Sequence, residues 1–174
     1  NLVAVNSTTG DKKPEALANY TMLNDRRMKR WDKTVKLSEE TKTASESYNK
    51  KVTWLDITES WCGDAAHIMP IIHKVAELND NIDFRIVLRD GNDALMNEFL
   101  TNGGRAIPKL IMIDKSSNEV VNTFGPRPTV AIDMVNNYKA KHGKLTPEFK
   151  EDLQRWYNKD KGQSTVEDLV NLLK

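Results

Sequence analysis

The sequence predicts an α/β domain that carries helical extensions at both ends. Two observations predict it: residues 51–143 alternate between short β-branched or apolar runs and amphipathic stretches, whereas the flanking segments show helical periodicity alone. The chain has 174 residues, 39% of them hydrophobic and 29% charged, which is typical of a globular domain that buries a core. The predicted segments are a disordered lead-in over 1–13, a helical extension over 14–50, the α/β domain over 51–143 and a second helical extension over 144–174.

Two helices are predicted in the N-terminal extension. After Pro14, an apolar stripe follows three- and four-residue steps and consists of Leu17, Tyr20, Met28, Trp31 and Val35. Asn24 fills a gap in this stripe. The opposite face carries the basic residues Arg26, Arg27, Lys29 and Arg30. We interpret that face as solvated rather than bound to an acidic partner. Ser38 followed by acids predicts a short second helix toward Asn49.

The central segment predicts the element order β-α-β-α-β-β-α. The predicted strands span 52–58, 82–88, 110–113 and 119–124. The predicted helices begin near Cys62, Ala94 and Pro128. The turn at 114–118 joins the last two strands as an antiparallel hairpin. Helices from Thr146 and from Ser164 form the C-terminal extension.

Charge and hydropathy exclude two classes of partner. The 26 Lys and Arg residues nearly balance the 25 Asp and Glu residues, so the net charge of +1 offers no broad basic surface for nucleic acid. The longest apolar runs, such as 68–72, are far shorter than the roughly 20 residues that cross a bilayer. We predict no nucleic-acid and no membrane partner. Because the chain starts at Asn1 without a methionine or a signal-peptide pattern, we expect a processed or cloned fragment and a cytoplasmic location.

Cys62 is the residue with the most distinctive chemistry. It is the single cysteine, so neither an intrachain disulfide nor a multi-cysteine metal centre can form. The pattern places it at the N-terminus of a helix, where unpaired backbone N–H groups and the helix dipole favour a thiolate. We therefore predict a nucleophilic thiol of lowered pKa. The alternative is an inert cysteine packed as a small hydrophobic side chain.

Five landmarks around Cys62 occur in an order typical of one family. They are Asp56, the segment Trp61-Cys62-Gly63-Asp64-Ala65, Pro70, the segment Arg105-Ala106-Ile107-Pro108 and Gly125. Residues 52–142 thus resemble the thioredoxin fold, in which a Trp-Cys-Gly-x-Cys motif follows the first core strand and a cis-proline faces the cysteine. The strings at 59–66 and 101–110 further resemble a bacterial branch of the thioredoxin family with N-terminal helices and a helical tail. The resemblance implies a thioredoxin-like α/β fold, with a central mixed sheet flanked by helices.

The resemblance also implies a reaction, which Ala65 changes. In a dithiol thioredoxin the first cysteine attacks a substrate disulfide, and a second cysteine three residues later releases the product. Ala65 occupies that second position, so exchange through Cys62 would stop at a mixed disulfide until an external thiol resolves it. We predict a monothiol oxidoreductase without a cofactor, whose partner is a disulfide- or thiol-containing protein or a low-molecular-weight thiol. An engineered replacement of cysteine by alanine at position 65 would give the same sequence.

Two acids have predicted roles near Cys62. The resemblance implies that Asp56 is a buried acid, whose raised pKa suits proton transfer. The alternative for Asp56 is a hydrogen-bonded structural acid. The carboxylate of Asp64, within the first helical turn, interacts favourably with the helix dipole but repels a negative charge on Cys62. Asp64 is alternatively a helix cap.

The predicted substrate-binding residues are Trp61, Gly63, Asp64, Ile107 and Pro108. A cis bond at Pro108 would present the backbone of Ile107 beside the cysteine, where an extended substrate can pair with it. The alternative is an ordinary trans-proline at the start of a strand. Trp61 either forms an apolar wall for the substrate or packs against the helix.

Two further functions remain open at this point. One is a non-catalytic thioredoxin-like module that binds protein segments through its apolar face, with an incidental cysteine. The other is a peroxidase, since a thiolate can be oxidised to sulfenic acid. His67 lies five residues after Cys62, but one thiol, one imidazole and one carboxylate are too few to define a zinc site. We predict no metal and a solvated His67.

Overall fold

The computed structural model describes residues 1–11 and 14–174. In this part of the chain the strands are β1 (Val52–Thr58), β2 (Ile82–Leu88), β3 (Lys109–Asp114) and β4 (Val120–Phe124). The α-helices are α1 (Glu15–Thr34), α2 (Glu39–Glu46), α3 (Gly63–Ala76), α4 (Asp93–Glu98), α5 (Thr129–His142), α6 (Pro147–Asp160) and α7 (Gln163–Leu172). A short 3₁₀ turn over Val3–Val5 precedes them. None of the described helices is both long and apolar enough to span a bilayer.

The four strands form one mixed sheet in the order β2-β1-β3-β4. Strand β1 is parallel to β2, as the intervening helix α3 requires, and antiparallel to β3. Strands β3 and β4 are the predicted antiparallel hairpin. The prediction of a central mixed sheet flanked by helices is therefore confirmed.

The hydrophobic core lies on both faces of the sheet, because alternate residues of a strand point to opposite sides. Val52 and Trp54 belong to the larger cluster, which includes residues of α1, α3, α5, α6 and α7. Ile57 belongs to a smaller cluster with Met96 of α4. Cys62 lies in this smaller cluster. The β-branched and aromatic residues that predicted β1 thus supply both layers.

Both helical extensions pack against α3, the helix that begins beside Cys62. Helices α1, α2 and α7 contact α3 directly. Ser45 of α2 is buried and its hydroxyl donates a hydrogen bond to the carbonyl oxygen of Val75 at 3.1 Å. The extensions therefore bring residues from both ends of the chain close to the helix that carries the cysteine.

The start of the chain differs from the expected disordered lead-in. Thr8 is fully buried, and its hydroxyl is 2.7 Å from that of Thr21 and 3.1 Å from that of Ser60. The backbone N–H of Thr9 donates to Ser60 Oγ at 3.0 Å. The polar side chains that predicted a solvated segment instead form hydrogen bonds with Thr21 and Ser60. A local sequence pattern cannot show such contacts, because the partners are distant in sequence. Residues 12 and 13 of the predicted lead-in lie outside the described residues.

Candidate functional site

Cys62 is the N-cap residue of α3 and faces the loop that precedes β3. Its thiol donates a hydrogen bond to the carbonyl oxygen of Ile107, with 3.3 Å between sulfur and oxygen. The peptide bond between Ile107 and Pro108 is cis. The structure therefore brings together three of the sequence-predicted site residues. Cys62 is only 8% exposed.

The ionisation of Cys62 contradicts the sequence prediction. Burial, followed by the carboxylate of Asp64, raises the pKa of the Cys62 thiol to about 12. Backbone N–H groups of the first helical turn and the Arg127 guanidinium act in the opposite direction, as expected at a helix N-terminus, but burial outweighs them. The predicted thiolate of lowered pKa is therefore wrong for this arrangement. A protonated thiol also fits the contact with Ile107, because a carbonyl oxygen can only accept.

Asp64 belongs to an ion pair rather than a helix cap. Its carboxylate accepts hydrogen bonds from Arg127 Nε at 3.0 Å and Arg127 Nη2 at 2.6 Å. Tyr157 of α6 donates its hydroxyl to Asp64 Oδ1 at 2.9 Å. Burial raises the pKa of Asp64, whereas these donors lower it, and three donated bonds suit the carboxylate form. The motif thus carries a negative charge beside the thiol.

Arg127 and Tyr157 were missed as site residues by sequence reasoning. Arg127 lies 63 residues after Asp64, and Tyr157 lies 93 residues after it. A lone arginine between two prolines and a tyrosine on an amphipathic helix give no local signal of a shared partner.

Asp56 is fully buried in β1, and burial raises its pKa to about 8. Both carboxyl oxygens are without a hydrogen-bond partner among the described residues, so the alternative of a hydrogen-bonded structural acid is not supported. The structure also does not place this carboxyl in hydrogen-bond contact with Cys62. The raised pKa agrees with the expectation for a buried acid. Its role in proton transfer stays a prediction.

An open cleft of about 410 Å³ lies beside Cys62. One wall is formed by the motif residues 61–64, and the other by α1 and the C-terminal extension. Trp61, Gly63 and Asp64 line this cleft, whereas Ile107 and Pro108 are not part of its described lining, and contact of these five residues with a substrate stays a prediction. The predicted substrate residues therefore divide into three that line the cleft and two, in the loop before β3, that do not.

Trp61 packs against neighbouring side chains and also lines the cleft. The guanidinium of Arg89 lies over the indole, 4.9 Å from the ring centroid. The indole is partly buried within the cluster that contains Cys62. Trp61 therefore packs against the smaller cluster and also borders the cleft, and its role as a wall for the substrate stays a prediction.

The N-terminal residues hold the loop that precedes Cys62. Asn24 of α1 is buried and donates its side-chain amide to the carbonyl oxygen of Ser60 at 3.0 Å. Glu59 is 1% exposed and accepts hydrogen bonds from the backbone of Asp90 at 2.8 Å and from the Thr9 hydroxyl. The polar Asn24 in an apolar stripe was the available signal for this contact, because a buried polar group needs a partner.

His67 is buried, which corrects the prediction of a solvated histidine. It is 2% exposed and accepts a hydrogen bond from Trp31 Nε1 at 2.9 Å on Nδ1. Its Nε2 is therefore the protonated nitrogen and donates to Gln154 Oε1 at 2.7 Å. Burial lowers the pKa of His67 to about 4. Among the described residues, no group of three or more His, Cys, Asp or Glu side chains is arranged to hold a metal ion.

The fold and the placement of Cys62 beside a cis-proline define a thioredoxin-like protein. The chain belongs to the thioredoxin family, because a family model described as Thioredoxin matches residues 10–141. No curated protein matches it.

Two solved structures share the fold. One is a protein of unknown function from Pseudomonas aeruginosa, with 15% identity and a TM-score of 0.68 over 90% of this chain and 89% of that one. The other is an HIV epitope scaffold, with 14% identity and a TM-score of 0.65 over 99% and 94% of the two chains. These matches extend over the helical extensions as well as the sheet.

Proposed function

We propose that this chain is a monothiol thiol–disulfide oxidoreductase that forms a mixed disulfide through Cys62. The observation that carries the proposal is the 3.3 Å contact between the Cys62 sulfur and the carbonyl oxygen of Ile107, at the edge of the open cleft. Because Cys62 also lines the cleft, a substrate disulfide in the cleft would lie next to the residue that carries the sulfur. The partner is a disulfide- or thiol-containing molecule.

The reaction runs in two exchanges. The Cys62 thiol loses its proton to solvent, and the thiolate attacks one sulfur of the substrate disulfide. The substrate S–S bond breaks, a Cys62–substrate disulfide forms, and the departing sulfur takes up a proton. An external thiol then attacks the substrate sulfur of the mixed disulfide, which restores Cys62 as a thiol and releases a new disulfide. Ala65 has no sulfur with which to perform that second step.

The raised pKa of Cys62 sets the rate of the first exchange. With a pKa of about 12, the thiolate is a small fraction at neutral pH, and this fraction grows about tenfold for each pH unit. Asp64 contributes to this effect, since its carboxylate repels a second negative charge. The resting protein thus holds a protected thiol, whose attack becomes faster when the electrostatic contribution of Asp64 is reduced.

The second candidate is a thioredoxin-like protein-binding module in which Cys62 does not react. The 8% exposure of Cys62 and its pKa of about 12 favour this function. The partner would then contact the apolar cleft walls formed by Leu17, Trp61 and Leu153.

The two candidate functions differ in how much thiol the chain releases from a disulfide, because only the oxidoreductase reacts with it. After incubation with glutathione disulfide, we expect one equivalent of thiol per chain and a retained adduct, which intact-mass measurement detects and added glutathione removes. An Ala65→Cys variant should release two equivalents and keep no adduct, because its new thiol lies three residues from Cys62 and closes an intrachain disulfide. A Cys62→Ser variant is the control. Absence of any adduct on the parent chain would support the binding module.

A further inference from the structure

We propose that the cleft beside Cys62 selects carboxylate-bearing low-molecular-weight disulfides, with Arg27 and Lys150 as the groups that contact the carboxylates. This inference rests on the proposed function, since it names the substrate class of the same site. It is carried by the charges that line the cleft, by the position of Arg27 and by the shape of the walls.

The charges lining the cleft do not cancel. The charged side chains are Arg27, Asp64, Arg127 and Lys150. Asp64 and Arg127 neutralise each other through the contacts at 2.6 and 3.0 Å. Arg27 donates to the uncharged amide oxygen of Asn24 at 3.1 Å. Within the described residues neither Arg27 nor Lys150 takes part in an ion pair, so the cleft keeps two positive charges.

Arg27 lies beside the reacting segment. A Cβ atom added to Gly63 would be 3.7 Å from Arg27 Nη1, so the guanidinium borders the residue that follows Cys62. Asn24, one turn earlier on α1, is hydrogen-bonded to Ser60 and fixes this part of the helix on the loop. Burial and the neighbouring Arg30 lower the pKa of Arg27, which shows that its charge lacks full solvation. An incoming carboxylate would relieve that deficit, and guanidinium binds carboxylate with two parallel hydrogen bonds. The solvated face predicted from the sequence therefore needs correction at Arg27.

The walls suit a small molecule. The apolar or aromatic side chains of Leu17, Tyr20, Leu145 and Leu153 also line the cleft. Its volume of about 410 Å³ lies within the range of small-molecule sites, about 300–1,000 Å³. Helices α1 and α6 contribute to its walls. An aliphatic disulfide with terminal carboxylates offers a reacting sulfur, an apolar chain and an anion to a cleft that holds a thiol, apolar side chains and cations.

Three symmetric disulfides of similar length test the selection: dithiodipropionate, a dianion; bis(hydroxyethyl) disulfide, which is neutral; and cystamine, a dication. The rate of adduct formation on Cys62 is measured by intact mass for each. In each case the S–H bond of Cys62 and the S–S bond of the small disulfide break. A mixed disulfide forms on Cys62, and the other half of the small disulfide leaves as a thiol. We expect the dianion to react fastest and the dication slowest, with about a fivefold ratio between the dianion and the neutral compound. Added salt should reduce that ratio.

Arg27→Gln tests the assignment of the cation. We expect this variant to lower the ratio of the dianion rate to the neutral rate, with Lys150 retaining part of the preference. Arg26→Gln is the matched control, because Arg26 is an exposed neighbour on α1 outside the cleft lining. Equal effects of the two substitutions would overturn the assignment of Arg27.

Binding without reaction separates this inference from the proposed function. Chemical shifts of the Cys62→Ser variant are followed during titration with dithiodipropionate. Shifts around Arg27 and Gly63 without any adduct on the parent chain would support the anion site and refute the oxidoreductase. Equal rates for the three disulfides would overturn the anion site and leave the oxidoreductase standing. Reaction with a protein disulfide but with none of the three small ones would overturn the small-molecule class.

Discussion

The hydroxyl of Tyr157 donates a hydrogen bond to Asp64 Oδ1 over 2.9 Å and thereby joins the C-terminal extension to the motif that carries Cys62. Tyr157 also stacks on His67 with ring centroids 4.4 Å apart, and His67 accepts from Trp31 of α1. Both extensions therefore meet at α3. Through Tyr157, the C-terminal extension helps to hold in place the Asp64 charge that raises the pKa of the Cys62 thiol.

Replacing Asp64 should make Cys62 more reactive. Asp64→Asn removes a negative charge beside the sulfur while Arg127 remains, so the pKa of Cys62 falls. We expect alkylation by iodoacetamide at a fixed, mildly alkaline pH to become about tenfold faster, which corresponds to one pKa unit. Asp80→Asn, at the exposed residue Asp80 just beyond the other end of α3, is the control and should leave the rate unchanged. An unchanged rate in Asp64→Asn would show that Asp64 does not act on the thiol.

Gly125 should tolerate no side chain, because the backbone of Pro108 occupies the space that a Cβ atom would need. A Cβ atom at Gly125 would lie 2.3 Å from the carbonyl oxygen of Pro108. Gly143 also has a positive φ, +74° against +107° for Gly125, but nothing lies within 4 Å of its added Cβ. We expect Gly143→Ala to cost about 1 kcal/mol of unfolding free energy and Gly125→Ala at least about 3 kcal/mol. Urea unfolding measures both, and equal losses would contradict the steric explanation.

The free energy of unfolding should fall as pH rises, because Asp56 ionises more easily in the unfolded chain than in the folded one. Its pKa is about 8 in the folded chain against 3.8 as the ordinary value. Between these pH values the unfolded chain releases the proton and the folded chain keeps it, so the stability contributed by this group decreases as pH rises. The loss reaches at most ~4 kcal/mol at neutral pH. Urea unfolding across this range should show that Asp56→Asn lacks the decline, and a variant with the parent slope would disprove it.

His67 should act in the opposite direction. Burial lowers its pKa from 6.5 to about 4, so between these values the unfolded chain binds a proton that the folded chain does not. The stability linked to His67 is therefore complete above pH 6.5 and is lost as pH falls toward 4. We expect His67→Gln to remove this acid-dependent loss in thermal unfolding, whereas His73→Gln, at an exposed position of the same helix, should retain it. A retained loss in His67→Gln would contradict the neutral, buried imidazole.

Local patterns were sufficient for the elements that form the sheet. The β-branched and aromatic run at 52–58 predicted β1 within its observed bounds, and the apolar stripe after Cys62 predicted α3. Gly125 was recognised from its place after the hairpin, and the structure gives the reason in the close approach of Pro108. For β1 and α3 the side chains that determine the local structure are neighbours in sequence, whereas Gly125 was known only from the resemblance and is constrained by the distant Pro108.

The ionisation of the site was not predictable in the same way. A helix N-terminus lowers the pKa of a thiol, but the opposing effects come from burial in a tertiary cluster and from the charge on Asp64. That charge is held by Arg127 and Tyr157, which are distant in sequence. Polar residues at buried positions were the available clue. Asn24 and His67 fell in or beside apolar stripes; both are buried, and they form hydrogen bonds with Ser60 and Trp31 respectively.

A protected thiol and an ordinary one differ in the pH profile of mixed-disulfide formation at Cys62. This profile is measured with glutathione disulfide by intact mass, over the range in which circular dichroism shows a folded chain. We predict one adduct per chain, absent in Cys62→Ser, with a rate that rises about tenfold per pH unit and does not level off before the pH approaches about 12. A rate that levels off near the ordinary cysteine value of about 8.5 or below would contradict the protected thiol. No adduct at any pH would contradict the oxidoreductase itself.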